Sequence, residues 1–73
     1  MFIDLSYKDL QGNKKRHIIN TEYIKRIFDE REEHRLMIFI KDRPSAINCY
    51  YTKDDEQQID NFMTKVLEIK EGF

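Results

Sequence analysis

The segment TKDDEQQIDNFMTKVLEIKEGF, residues 52–73, decides how the rest of the chain is read. Its apolar residues Ile59, Phe62, Met63, Val66 and Leu67 recur three and four apart, so they share one face of a helix. Thr52 is placed to cap that helix, with Asp55 three residues on as its capping-box partner. Asp54, Asp55 and Glu56 stand at the positive end of the helix dipole, and Lys65 and Lys70 toward the negative end. Gly72 is placed to stop it. The spacing predicts a helix over about 53–71 whose stripe must lie on an apolar surface, most simply a sheet.

The residues before it supply such a sheet. Ile3, Leu5 and Tyr7 alternate with Asp4 and Ser6, the pattern of a half-buried strand. Gln11-Gly12-Asn13 is a turn, and a second strand over about 15–20 completes a hairpin. Residues 21–28 carry two patterns: Ile24, Ile27 and Phe28 have helical spacing, whereas Tyr23, Ile24, Ile27 and Phe28 are strand formers. The strand reading is preferred, with 29–33 as a charged loop. Leu36-Met37-Ile38-Phe39-Ile40 has the length and composition of a central strand, and Asp42-Arg43-Pro44-Ser45 is a turn because Pro44 cannot donate to a ladder. A last strand covers 46–51. The expected fold is α+β: one domain over 1–73, an antiparallel meander of four to five strands across about 2–51, with one C-terminal amphipathic helix packed on it.

Seventy-three residues lie near the lower limit at which an unassisted core is stable, so a homodimer or a host partner is expected to cover part of the apolar surface. Tyr50, Tyr51 and Phe73 are candidates for self-association. Thirteen Lys and Arg against fourteen Asp and Glu leave a net charge of -1, which argues against a dedicated nucleic-acid binder. A lone cysteine, Cys49, forms no internal disulfide, and no apolar run approaches the roughly 20 residues that cross a bilayer. The expectation is a cytoplasmic protein without membrane insertion.

Chemistry-bearing residues are sparse. His17 and His34 have no Cys or second His at ligand spacing, and Glu32 and Glu33 beside His34 suit a charged loop, so neither metal nor cofactor is implied. Cys49 sits in a strand, where it reads as a small buried hydrophobe rather than a nucleophile. With glycines only at 12 and 72 there is no phosphate loop, and the chain is read as non-catalytic. Lys14, Lys15 and Arg16, followed by His17, form the one basic cluster, either a phosphate contact or the solvated guard of an edge strand. The acidic Asp54, Asp55, Glu56 and Asp60 either compensate the helix dipole or mimic phosphates toward a basic partner.

Within the helix, Gln58-Ile59-Asp60-Asn61-Phe62 resembles the peptide by which bacterial proteins dock on the DNA replication sliding clamp, with Asn61 standing where Leu is usual. Small Lys- and Ile-rich chains of this kind also resemble the host-takeover proteins of bacteriophages, which inhibit by occupying a host protein's working surface. That resemblance implies the clamp as partner, with Gln58, Ile59 and Phe62 in its pocket or Asp54, Asp55, Glu56 and Asp60 in its basic channel. Packing in the helix's apolar stripe is the preferred reading of Ile59 and Phe62, which leaves a partner the polar face led by the acidic first turn and Gln58. The layout around Gly12-Asn13 and Ile19-Asn20, followed by Ile24 and Ile27, also resembles FlbD-like small motility proteins. It implies an interaction module of a motility or membrane-adjacent assembly. Arg43-Pro44-Ser45 replaces that family's second glycine turn.

Overall fold

A computed structural model describes residues 1–70. Five strands run in chain order: β1 (Phe2–Lys8), β2 (Lys14–Asn20), β3 (Ile24–Glu30), β4 (Arg35–Ile40) and β5 (Ile47–Tyr50). One helix, α1 (Glu56–Ile69), follows. The fold is α+β with antiparallel pairing throughout, but the strands form two sheets, β1–β2 and β3–β4–β5. The expected meander is interrupted after Asn20, where Thr21–Tyr23 form a short 3-10 turn. The Asn20 side chain accepts from the Glu22 amide at 3.1 Å, an Asx-type bond that competes with ladder pairing.

The hairpin turn rests on a residue that the dipeptide pattern does not single out. Asp9 Oδ1 accepts from the Gln11 and Asn13 amides at 3.0 and 2.9 Å, and Gly12 takes the left-handed φ of 83° that closes the turn. The ambiguous stretch is a strand, beginning at Ile24 and continuing through Asp29 and Glu30, so the charged loop shrinks to a 3-10 turn at Arg31–Glu33. His34 ends that turn in the left-handed region at φ 50°.

The core gathers the inward faces of all these elements: Ile3, Leu5 and Tyr7 of β1, Ile19, Ile24, Leu36, Ile38, Cys49 and Tyr51, and Ile59, Phe62 and Val66 of α1. Each fully buried large aliphatic or aromatic side chain contributes roughly 1.5–3 kcal/mol. The helix lies mainly against β1. Its stripe is narrower than expected, since Met63 is half-buried and Leu67 is 52% exposed.

The helix begins at Glu56 rather than about 53, because Lys53–Asp55 form a 3-10 turn. Neither Thr52 nor Asp55 caps with its side chain. Asp55 instead accepts from the Lys8 amide at 2.8 Å, satisfying the last donor of β1. At the other end, the Lys70 ammonium donates to the Thr21 carbonyl at 2.9 Å, and Thr21 Oγ1 donates to the Met1 carbonyl at 3.0 Å. These bonds tie the helix end to the break between the two sheets. The expected stop at Gly72, the last helical position at 71 and the self-association candidate Phe73 lie outside the described residues.

Candidate functional site

The side chains named on the sequence divide into two groups once folded. One group is spent inside the molecule. Ile59 and Phe62 are buried in the core, at 0% and 2% exposure. Asp60 and Glu56 enter a network around Arg31, whose Nη2 donates to Asp60 Oδ1 at 2.5 Å and whose Nε donates to Asp29 Oδ2 at 2.9 Å. Arg31 Nη1 lies 3.7 Å from Glu56 Oε1, and His34 Nε2 lies 3.1 Å from Glu56 Oε2. Tyr51 donates its hydroxyl to Asp29 Oδ1 at 2.8 Å beneath this network. Tyr51 is fully buried, which removes it as a self-association residue, whereas its neighbour Tyr50 is exposed. Bonds to Asp60 and Asp29 raise the Arg31 guanidinium pKa above its ordinary value, and burial raises that of the Tyr51 phenol.

The acidic helix face is therefore much smaller than its sequence suggests. Of its four carboxylates, Glu56 and Asp60 face Arg31 and Asp55 holds a backbone amide. Of the four, Asp54 alone is exposed.

The second group converges. A cleft of about 420 Å³ is lined by Ser6, Tyr7 and Lys8 of β1, Lys14, Lys15 and Arg16 of β2, then Asp55 and Gln58. Strand alternation puts four of its six hairpin residues on one face, while Tyr7 and Lys15, a cross-strand pair, reach it from the other. Ser6 pairs with Arg16 and Lys8 with Lys14, so all four sit on the outward face of the hairpin, opposite to Leu5 and Tyr7. The N-terminal end of α1 flanks that hairpin because Asp55 is bonded to Lys8. Gln58, read as a partner contact, and Lys14, Lys15 and Arg16, read as a phosphate contact, thus line one surface.

Electrostatics differ along the cleft. Arg16 donates from Nε to Asp4 Oδ2 at 2.9 Å and places Nη2 2.7 Å from the same oxygen, which holds the Asp4 carboxyl below its usual range. Lys15 lies 3.8 Å from Asp9. Lys8 and Lys14 have no carboxylate partner among the described residues. Beyond them on the same outward face, Phe2 and Ile18 are 69% and 60% exposed.

The remaining candidates are internal. Cys49 is fully buried, and burial pushes its thiol pKa up, which suppresses the thiolate form a nucleophile needs. His17 Nε2 lies 3.3 Å from the Tyr7 hydroxyl, and burial followed by the Lys15 charge lowers its pKa. Among the described residues, no three His, Cys, Asp or Glu side chains gather in a way that holds a metal ion. None of the described helices is long and apolar enough to cross a membrane.

Lys8 is the cleft residue that the basic-run pattern misses, because it lies six positions from Lys14 and meets it only across the hairpin. No family model matches the chain, and no curated protein and no solved structure matches it either.

Proposed function

We propose that the chain is a non-catalytic protein-binding module whose contact surface is the cleft between the β1–β2 hairpin and the start of α1. It would act as small host-directed inhibitors do, by covering a partner's working surface. The observation that carries this reading is the convergence of Gln58 with Lys8, Lys14, Lys15 and Arg16 around one concavity. Exposed Phe2 and Ile18 on the same hairpin face add the mixture of aromatic, apolar and Arg contacts from which interfaces are built.

The sliding clamp stays within this proposal as a partner in a restricted form. A peptide-like docking of Gln58–Phe62 would draw Ile59 and Phe62 out of the core, at a cost of several kcal/mol. Clamp contact through the folded protein would use Gln58 and Asp54. The test is capture from bacterial lysate by the tagged chain, run beside Gln58→Ala and Lys14→Glu variants. A host protein held by the parent chain and lost by both variants supports the reading. A partner held equally by all three chains refutes the cleft as contact surface, and the clamp's absence from the captured set removes the replication form.

The same basic side chains support a second reading, contact with nucleic-acid phosphates. It requires DNA or RNA affinity that falls steeply with salt, with a log–log slope set by the number of phosphates neutralised.

A further inference from the structure

Lys8 and Lys14 are direct cross-strand partners at the end of the hairpin, on the same outward face. Like charges placed directly opposite in an antiparallel pair destabilise it, and no carboxylate oxygen among the described residues lies within 4.0 Å of either ammonium. Among the described residues Asp55 is the one carboxylate lining the cleft, where it accepts from the Lys8 amide and keeps its negative charge. The next cross-strand pair inward is Ser6 opposite Arg16, with Arg16 already held by Asp4. The cleft thus offers two ammonium groups on opposed strands that lack a salt-bridge partner, the Ser6 hydroxyl, which donates to Asp4 Oδ1 at 3.4 Å, and the Gln58 amide.

We propose that this cleft binds a phosphomonoester, with its dianionic phosphate between the Lys8 and Lys14 ammonium groups and Ser6 and Gln58 as further hydrogen-bond partners. Charge matching selects the ligand. The two opposed lysines carry two positive charges, and the lining as a whole, four cations against Asp55, stays net positive. A phosphomonoester carries about -1.5 to -2 at neutral pH with three strong acceptor oxygens. A single carboxylate would leave one lysine uncompensated. A phosphodiester brings one negative charge per group, and the chain's overall charge of -1 does not favour tracking along a nucleic-acid backbone. The volume of about 420 Å³ exceeds what a phosphate needs and leaves room for part of the phosphate's carrier. The inference rests on the reading of this cleft as the contact surface, and it makes a phosphorylated side chain on the partner the natural carrier.

The test is a titration of the isotopically labelled full chain, followed by backbone amide NMR at constant ionic strength and neutral pH. The probes are inorganic phosphate, sodium sulfate, sodium chloride, a phosphoserine peptide with its unphosphorylated twin, and a single-stranded DNA oligonucleotide. The proposal expects saturable shifts at Ser6, Lys8, Lys14 and Gln58 with phosphate and none with chloride. Lys8→Ala and Lys14→Ala should each weaken the response roughly tenfold, the scale of a lost charged hydrogen bond. Tighter binding of the phosphopeptide than of inorganic phosphate supports a protein-borne group, and equal binding supports a free phosphate or small-molecule monoester.

Sulfate, itself a tetrahedral dianion, should shift the same amides. Chloride acting as well as phosphate, DNA binding more tightly than any monoester, or shifts unchanged in the two alanine variants would each overturn the assignment. Because both lysines are exposed, these variants are expected to fold, and their amide spectra verify it in the same experiment. A partner captured through the cleft in its unphosphorylated state, with no phosphate response, would leave the protein-binding reading standing and remove this one.

Discussion

The Arg31 guanidinium reaches the Asp60 carboxylate at 2.5 Å, joining the short turn between β3 and β4 to the second turn of α1. The same side chain holds Asp29 at 2.9 Å and lies over the ring of Tyr51, 5.8 Å from its centroid. Isolated surface ion pairs contribute little, but several charges converging on one guanidinium form a network with shared ordering cost. Arg31→Ala is expected to lower the unfolding free energy by about 1–2 kcal/mol, and Asp60→Asn by less than 1 kcal/mol. Urea denaturation followed by circular dichroism measures both. Equal and negligible losses would show that the network is ornamental to stability.

Phe62→Ala should cost about 3–5 kcal/mol and Ile59→Ala about 2–5 kcal/mol, since each truncation opens a cavity in the core. Gln58→Ala, at an exposed helix position, should change stability by no more than about 0.5 kcal/mol. Thermal melts of the three variants check this ranking. It determines which of them can test partner binding without unfolding the chain.

Lys14→Glu converts the opposed lysines into an opposite-charge pair and should stabilise the hairpin by about 0.2–1 kcal/mol. The gain should shrink as salt is raised, because both groups are exposed and screened. Denaturation at low and high ionic strength measures it. A destabilised variant would show that the lysine pair is not under repulsion, and would remove the main physical reason for expecting an anion there.

Stability should fall as pH drops below about 6.5, and His17 should account for part of that fall. Burial, then the Lys15 charge, disfavours the protonated ring, so folded His17 titrates below the ordinary 6.5 of the unfolded chain. The unfolded state therefore takes up the proton first as pH falls, and the contribution of neutral His17 is lost through that window. Melting temperatures of the parent chain and of His17→Gln between pH 7.5 and 5 check this. The variant's curve should be the flatter one, and parallel curves would exclude His17 as the cause.

Much of the architecture is legible in local pattern. Ile3, Leu5 and Tyr7 alternate, and all three are buried in β1. Ile59, Phe62 and Val66 recur at helical spacing, and all three are buried in α1. The helix start was not legible, because Thr52 and Asp55 have the residue types of a capping box. Asp55 is instead drawn to the Lys8 amide, 47 positions away in the chain. Leu67 fits the stripe by period but stays exposed.

By itself the sequence determined the apolar face of β1 and most of that of α1, since these depend only on the spacing of residues along one strand or helix. Tertiary structure decided which charges remain available to a partner. Arg31 consumes Asp60 because the β3–β4 turn is folded against α1, and Lys8 meets Lys14 because the hairpin brings their backbones into register. Charge pairing acts between groups a few ångströms apart in space, and segments distant in sequence reach that separation only after the core has packed.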